Sequence, residues 1–391
     1  MREILILCTS PYQLLVASQL KEQVFKEDKV SIAVGDTIAN VSELFSRLKL
    51  EKVFEKTYLW KIKGVVQFGF SEKVRDAISY HNQSNRYTVN LDGLDKRYDI
   101  FLYANISRIA GYVVDRLMTK NRDLSVQMFE DGFSTYSTYT GNYLEKRSIK
   151  HWFTRRALWK TRELFIFNPD IMAWKPSFHV TKISSDYSKD SINRINRIFG
   201  YDLLKDDYSK RVIFFEESYS ADGKTVDDVD LLEEIAKVVG KENIIVKIHP
   251  RNPTNRFSEH GFVTNTNTSI PWEVILINGD FSESIFVTMA SNAAMNPFFL
   301  FGKSTPAFLL FKCSKTPEAM YKDIIEFDEQ LCSKYPEVFY IPASYEEMLS
   351  KIESLTKECA SSALRIQAGE SPAPVKPSKQ PVHSLEAKAA R

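Results

Sequence analysis

Short apolar runs and longer stretches with helical spacing alternate along most of the chain. The apolar runs are too short for helices and are typical of buried strands, whereas the stretches between them repeat apolar positions every three or four residues. Ser10, Pro11 and Gln13 supply an N-cap, a first-turn proline and a capping-box partner for the first helix. In this part of the chain the pattern predicts strands at 2–8, 30–34, 98–103 and 124–129, and helices from Pro11, at 37–48 and at 106–117. Such alternation predicts βα units and mostly parallel sheets, so we assign the chain to the α/β class.

Two clusters of turn formers interrupt this alternation. They are Phe167-Asn168-Pro169-Asp170 and Trp174-Lys175-Pro176, and prolines in such clusters are typical of linkers. We therefore predict a first domain at residues 1–165, followed by a linker and edge segment at 166–210.

A second set of βα units follows at residues 211–358. The predicted strands are 212–216, 243–249, 285–289 and 305–311, and the predicted helices are 226–239, 272–276 and 345–358. Residues 359–391 are rich in Ala, Ser, Pro and Lys and have no sustained apolar periodicity, which predicts a disordered tail.

The composition is that of a soluble enzyme. The 391 residues suffice for two α/β domains, and 52 Lys and Arg nearly balance 50 Asp and Glu, so no nucleic-acid partner is expected. Cys8, Cys313, Cys332 and Cys359 show no metal-like spacing, which favours reduced thiols in a cytoplasmic protein. Neither a long apolar run nor a signal-peptide pattern is present, so we expect a cytoplasmic location and only peripheral contact with a membrane.

Three short motifs stand where predicted strands end: Glu130-Asp131-Gly132, His249-Pro250 and Ser291-Asn292. In α/β folds ligands bind at the carboxyl ends of strands. Ser291 also precedes an apolar run, so its hydroxyl and the next amides could hold a phosphate at a helix N-terminus. A carboxylate, an imidazole and a phosphate cradle suffice for transfer from a phosphate leaving group.

Each motif alone has a simpler interpretation. An acidic pair before Gly often forms a turn with a solvated carboxylate, a His before Pro often just ends a strand, and a Ser before a helix is usually an N-cap. The joint interpretation is favoured because all three motifs end strands and are far enough apart in the chain to lie on two domains.

The three motifs, in this order, resemble those of bacterial sialyltransferases with a GT-B fold, especially glycosyltransferase family 52. The opening segment from Ile4 to Leu14 also resembles that family's first strand and helix. The resemblance spans most of residues 1–355 and implies two Rossmann-like domains that face a central cleft. The chain departs from the family at Ser291-Asn292, where Ser-Ser or Ser-Thr is common, although an Asn amide can also donate to an oxygen.

The resemblance implies an inverting, metal-independent transfer of sialic acid from CMP-sialic acid to a glycan of lipooligosaccharide or capsule. Asp131 would accept the proton of the acceptor hydroxyl, while Gly132 lets the backbone approach closely. His249 would protonate or hydrogen-bond the departing phosphate. Glu130 is expected to face away from Asp131, because neighbours along a strand alternate sides.

Donor contacts are expected from Ser291, Asn292 and Pro250, without a cofactor or metal. Glu216 ends a predicted strand of the second domain and is a further candidate for contact with the donor. An exposed acid at a strand end is an equally good interpretation of Glu216.

A metal site is the competing interpretation of Asp228-Val229-Asp230, which matches the Asp-x-Asp pattern of metal-dependent glycosyltransferases. Thr225 precedes it as an expected N-cap, and acids in a first helical turn favour the helix dipole. We therefore prefer a helix start here.

A basic and aromatic segment spans Lys146 to Arg162 and includes Lys150, Arg155 and Arg156. A helix with a solvated basic face is one interpretation. The other is contact with an anionic glycan or with the inner membrane, since tryptophans and basic residues suit such surfaces.

Two further classes of function stay open. A GT-B transferase that uses CDP-glycerol or a nucleotide hexose would need the same residue types, and a non-catalytic glycan-binding partner would need neither acid nor imidazole. The expected partners are a nucleotide-sugar donor and a glycan acceptor, and a homodimer stays open.

Overall fold

Parallel strands build two separate sheets in this computed structural model, which describes residues 1–62, 91–145, 156–316 and 322–367. Within these ranges the first sheet has seven strands in the order β3-β2-β1-β4-β5-β6-β7. The strands are β1 Glu3–Cys8, β2 Lys29–Gly35, β3 Lys56–Trp60, β4 Ile100–Tyr103, β5 Ser125–Phe129, β6 Thr161–Ile166 and β7 His179–Lys182. The strand order reverses between β1 and β4, as in a Rossmann fold.

The second sheet repeats this topology. Its described strands follow the order β10-β9-β8-β11-β12-β13 and reverse between β8 and β11. They are β8 Val212–Phe215, β9 Ile244–Lys247, β10 Val263–Thr264, β11 Ile285–Thr288, β12 Ala307–Leu309 and β13 Phe339–Tyr340. Both sheets are therefore Rossmann-like.

Helices connect the strands as parallel crossovers require. In the first half they are α1 Pro11–Gln23, α2 Val41–Glu51, α3 Arg108–Met118, α4 Phe133–Tyr136, α5 Thr138–Leu144 and α6 Lys189–Phe199. In the second half they are α7 Asp228–Val239, α8 Arg256–Glu259, α9 Trp272–Asn278, α10 Asn296–Phe301, α11 Lys322–Lys334 and α12 Tyr345–Gln367.

The central strands are apolar because helices cover both faces of each sheet. All four residues of β4, β8 and β11 are buried, and β1 is buried from Ile4 to Cys8. Continuous burial of this kind is what short apolar runs predict for parallel sheets. The strands expected at 2–8, 30–34, 124–129 and 285–289 are confirmed to within two residues.

Three predicted boundaries differ from the structure. The first sheet extends beyond residue 165, because β7 pairs with β6 inside the segment expected to hold the linker. Helix α12 continues past residue 358 to Gln367, whereas residues 368–391 of the expected tail lie outside the described ranges. Helix α7 has Asp227 as its N-cap, so the expectation of Thr225 is wrong.

Two sets of polar contacts connect the two halves of the molecule. The side-chain amides of Asn196 in α6 and Asn278 in α9 donate to each other at 2.8 and 2.7 Å. The Lys334 ammonium at the end of α11 donates to the Asp170 carbonyl at 2.6 Å. These hydrogen bonds connect the first half of the molecule to the second.

Candidate active site

Glu130 lies at the carboxyl end of β5 and is fully buried. Its Oε1 accepts a hydrogen bond from the Tyr12 hydroxyl at 2.5 Å, and its Oε2 accepts from the Tyr136 hydroxyl at 2.6 Å and the Phe167 amide at 2.8 Å. Burial raises the pKa of Glu130 to about 7, although these hydrogen bonds act in the opposite direction. Glu130 therefore ties helix α1 to the segment after β6 rather than facing a substrate.

Asp131 is only partly buried and has different partners. Its Oδ1 accepts from the Gln13 side-chain amide at 2.7 Å, and its backbone amide donates to the Thr135 hydroxyl at 2.8 Å. Burial raises the pKa of Asp131 to about 6, and the bond from Gln13 acts against this rise. None of the described residues donates a hydrogen bond to Oδ2, so one carboxylate oxygen has no partner among them.

Gly132 turns the chain sharply after this pair. Its φ of +67° lies in the left-handed region that glycine adopts without strain, and a Cβ there would lie 3.9 Å from the Tyr12 ring. The turn starts helix α4 directly, so Phe133 and Tyr136 follow the acids closely.

Side chains of α4 contact the second half of the molecule. The rings of Phe133 and Phe327 lie 4.8 Å apart, and those of Tyr136 and Phe299 lie 5.1 Å apart. These four residues form what we term the aromatic bridge. It connects the segment after Asp131 to helices α10 and α11, and α10 follows the Ser291 motif.

His249 lies two residues beyond β9. Its Nδ1 accepts from the Arg251 amide at 3.3 Å, so the neutral ring carries its proton on Nε2, to which no described residue bonds. Burial, together with the charges of Arg251 and Lys247, lowers the pKa of His249 to about 4. At neutral pH the ring is therefore an uncharged hydrogen-bond donor.

A buried ion-pair network supports the loop that carries His249. Glu216 is fully buried, and its Oε2 accepts from the His249 amide at 3.0 Å, while its Oε1 pairs with Arg256 at 3.2 Å. Arg256 also donates twice to Asp228 at 2.8 Å. The expected exposed acid at position 216 is thus wrong, and donor contact by Glu216 stays a prediction. Pro250 itself is exposed beside this loop.

This network also bears on the Asp-x-Asp pattern. The Asp228 carboxylate is buried against Arg256, whereas Asp230 is exposed. Within the described ranges no group of three His, Cys, Asp or Glu residues could hold a metal ion. The arrangement gives Asp228 a structural role.

Ser291 begins a three-residue 3-10 turn, Asn292–Ala294, and not the α-helix expected from the sequence. Its hydroxyl oxygen accepts from the Ala293 amide at 3.4 Å, and its own amide donates to the Thr288 hydroxyl at 3.0 Å. The hydroxyl proton of Ser291 therefore stays available. The Asn292 Oδ1 is buried and has no partner among the described residues.

Glu217 supports the Ser291 turn at the point where the second sheet reverses. Its Oε1 accepts from the Ala290 amide at 3.0 Å, and burial raises its pKa to about 7. Ligands bind in Rossmann-like sheets at this reversal, so the structure places the Ser291 motif and the His249 loop on either side of it.

Several residues near these motifs were not predicted from the sequence. Burial lowers the pKa of Lys247, and the carboxylate of Glu273 counteracts this shift. Burial raises the pKa of Tyr12, and both Glu130 and Glu273 raise it further. Tyr12 belongs to α1 and Glu273 to α9, so a charge in the second half acts on a side chain of the first half.

Part of the predicted basic segment cannot be placed. Lys146, Arg147, Lys150 and Arg155 lie outside the described residues, whereas 156–160 form a 3-10 helix before β6. None of the helices in the described ranges has the length and apolar character needed to span a bilayer. Among described cysteines, Cys8, Cys313 and Cys332 are free thiols.

Comparison with known proteins finds a family model that matches most of the chain. The family model described as alpha-2,8-polysialyltransferase matches residues 4–305. Comparison with curated proteins gives no match.

Solved structures with the same architecture span nearly the whole chain. Arabidopsis thaliana UGT89C1 complexed with UDP-L-rhamnose is 10% identical, with a TM-score of 0.51 over 95% of this chain and 96% of that one. UDP-GlcNAc 2-epimerase from Neisseria meningitidis is 16% identical, covering 93% and 99% of the two chains with a TM-score of 0.48. The alpha/beta-galactoside alpha-2,3-sialyltransferase of Photobacterium phosphoreum is 11% identical, covering 87% and 99% with a TM-score of 0.49. The two Rossmann-like sheets and their cleft form a GT-B fold.

Proposed function

The chain belongs to the alpha-2,8-polysialyltransferase family, and from this premise we propose that it transfers sialic acid from CMP-sialic acid to a glycan hydroxyl. We propose a single inverting displacement without a metal ion. The observation that carries the proposal is the pairing of an open carboxylate oxygen on Asp131 with an unbonded Nε2–H on His249. The two groups follow strands of different sheets, and we propose that they face the same substrate.

Asp131 is suited to act as the general base. With a pKa of about 6 it is ionised at neutral pH, yet it binds a proton more strongly than an ordinary aspartate does. Its free Oδ2 can accept the proton of the acceptor hydroxyl while the hydroxyl oxygen attacks the anomeric carbon. Glu130 lacks a free oxygen for this role, because both of its oxygens accept hydrogen bonds within the protein.

His249 is suited to hold the departing CMP. In the free protein its neutral ring can donate from Nε2 to a phosphate oxygen. An anionic phosphate beside the ring raises the imidazole pKa, because an opposite charge favours the protonated form. His249 thereby gains basicity as the donor binds, and it can stabilise or protonate the leaving phosphate.

The remaining donor contacts follow from the Ser291 turn. The Ser291 hydroxyl proton is not used within the turn, and it can be donated to a phosphate oxygen. Asn292 would present its side-chain amide in place of the second hydroxyl that related enzymes carry. Lys247, close enough to lower the pKa of His249, supplies positive charge that a metal would otherwise provide.

The acceptor is proposed from the family. An alpha-2,8 linkage joins a new sialic acid to the 8-hydroxyl of another, so a sialylated glycan of capsule or lipooligosaccharide is the first acceptor to test. Peripheral contact with the inner membrane remains part of this proposal.

A donor screen tests the function. The full chain is incubated with a sialylated acceptor and, in separate reactions, CMP-sialic acid, CDP-glycerol, UDP-hexoses or GDP-hexoses, each in excess chelator. We expect transfer from CMP-sialic acid alone, with inverted anomeric configuration of the product by NMR. Transfer only from another donor would assign a different GT-B activity, and transfer that needs manganese would restore the Asp-x-Asp interpretation. If no donor is transferred or hydrolysed, a glycan-binding role replaces the enzyme.

A further inference from the structure

Gln13 is a buried polar side chain next to the proposed base. It lies in the first turn of α1, and only 1% of its surface is exposed. The sequence explained it as a capping-box residue, whose side chain would bond to the Ser10 amide. In the structure Ser10 does cap the helix, but the Gln13 side chain bonds to Thr9 and Asp131 instead.

The contacts with Thr9 fix the orientation of the Gln13 amide group. The Thr9 backbone amide donates to Oε1 at 2.6 Å, and the Thr9 hydroxyl also lies 3.1 Å from Oε1. A backbone N–H can only donate, so the atom facing Thr9 must be the oxygen. The amino group of Gln13 consequently faces Asp131 Oδ1 at 2.7 Å.

Thr9 is itself held by its neighbours in the first sheet. The Asn105 side chain at the end of β4 donates to the Thr9 hydroxyl at 3.1 Å, and the Thr37 hydroxyl donates to the Thr9 carbonyl at 2.8 Å. The relay from Thr9 through Gln13 to Asp131 therefore starts at the reversal between β1 and β4. A rigid second layer of this type holds a catalytic group in a productive geometry.

We propose that Gln13 is the positioning residue of the base, fixing Oδ1 of Asp131 so that Oδ2 alone faces the acceptor hydroxyl. The assignment rests on the proposed function, since it presumes that Asp131 takes the acceptor proton. Gln13 does not touch substrate in this scheme. It limits rotation of the carboxylate and stabilises its ionised form by donating to it.

Other titratable groups also face Asp131. Cys8 ends β1, and its thiol pKa is raised by burial and, to a smaller extent, by the charge of Asp131. Tyr12 packs over Gly132 and stays protonated, because burial raises its pKa. Glu130, with a pKa of about 7, is the neighbour that titrates in the same range, so an assay must resolve the two carboxyls.

Two variants separate positioning from packing. Gln13→Met fills a similar volume but donates nothing to Asp131. Gln13→Glu keeps an oxygen for the Thr9 amide and faces Asp131 with a second carboxylate. The matched control is Gln19→Met in the same helix, where a buried Gln donates to the Ser184 and Asp186 carbonyls and does not contact Asp131.

The first measurement is the pH dependence of kcat/KM. The fall of kcat/KM at acidic pH, its acid limb, reports the pKa of the base. Loss of a hydrogen bond to a charged carboxylate raises that pKa by about one unit. The kcat/KM of Gln13→Met, divided by that of wild type, is therefore expected to be about tenfold lower at acidic pH than on the alkaline plateau. Gln13→Glu should shift the limb further, because two adjacent carboxylates resist ionising together. Gln19→Met should leave the limb in place. A uniform loss at every pH in both Gln13 variants would overturn the proposal.

The second measurement needs no substrate. The carboxyl carbon of Asp131 is titrated by NMR in protein labelled at aspartate, so that Glu130 is not observed, and Asp131→Asn identifies the Asp131 signal among the aspartates. A raised pKa in Gln13→Met is expected, and an unchanged titration would refute the contact's role. If the pKa rises but the wild-type chain transfers nothing, the proposed function fails while the contact stands.

Discussion

The replacement Glu130→Gln should remove a large part of the pH dependence of stability without removing the base. Glu130 is fully buried, and its pKa of about 7 lies above the ordinary value of 4.5. The folded state therefore binds this proton more tightly than the unfolded chain does. Stability from this group is gained as the pH falls below 7 and is lost as the pH rises through 7.

The size of the effect follows from the shift. Each unit of pKa difference corresponds to about 1.4 kcal/mol. Between about pH 5.5 and about pH 8, the unfolded carboxyl is mostly ionised throughout while the folded one changes state, so wild type should lose on the order of 2 kcal/mol. Other titratable groups also contribute to the pH dependence of the unfolding free energy. Their contribution cancels when wild type is compared with the variant.

Glutamine can replace Glu130 without leaving a buried polar group unpaired. Its oxygen can accept from the Tyr136 hydroxyl and the Phe167 amide, and its amino group can donate to the Tyr12 oxygen once that hydroxyl rotates. The variant should therefore be at least as stable as wild type at about pH 8 and differ little at about pH 5.5.

Urea unfolding at both pH values measures how much the unfolding free energy of wild type and of Glu130→Gln changes with pH. Initial rates of transfer at neutral pH measure how much activity the variant retains. Glu130→Gln should retain far more activity than Asp131→Asn. The reasoning is refuted if both proteins show the same difference in unfolding free energy between the two pH values. It is equally refuted if Glu130→Gln is as inactive as Asp131→Asn.

Four further outcomes follow from the site. Asp131→Asn keeps the shape but removes the base, so kcat should fall by about 10² to 10⁴ in a transfer assay while CMP affinity in calorimetry changes little; near-normal turnover would exclude Asp131 as the base. CMP binding should take up a proton near neutral pH, because phosphate raises the His249 pKa from about 4, and calorimetry in two buffers of different ionisation enthalpy would detect it. His249→Ala should abolish that uptake and weaken both turnover and CMP binding, and equal uptake in this variant would point to another group. Arg256→Met leaves Glu216 and Asp228 buried without a cation, so unfolding in urea should show a loss of about 3 kcal/mol or more; an unchanged midpoint would mean that the network contributes nothing to stability.

The central strands could be predicted because the apolar residues that define each strand are adjacent in the sequence. A buried parallel strand must be apolar on both faces, and β1 and β11 show this in any short window of sequence. The edge strands β10 and β13 have two residues each, which is too short for any pattern to be recognised. Helix α6 did carry a usable signal, since Ser188 caps it and Ile192, Ile195 and Phe199 repeat at helical spacing.

The candidate site likewise contains residues that the sequence could predict and residues that it could not. Asp131, His249 and Ser291 could be proposed because each follows a strand, and the end of a strand is visible in the sequence. The partners that tune them were missed because they are distant in the chain. Gln13 precedes Asp131 by 118 residues, and Arg256 follows Glu216 by 40. Gln13 was missed for a second reason, because its capping role already accounted for it.

The aromatic bridge affects how the two domains can be recombined. Exchanging the second domain for that of another GT-B transferase would be an obvious route to a new donor. Here Phe299 and Phe327 belong to the exchanged second half, while their partners Phe133 and Tyr136 stay in the first half, just after Asp131. A chimera that ignores these contacts would leave aromatic rings without their partners beside Asp131. Donor engineering in this scaffold must therefore graft loops around His249 and Ser291 rather than whole domains.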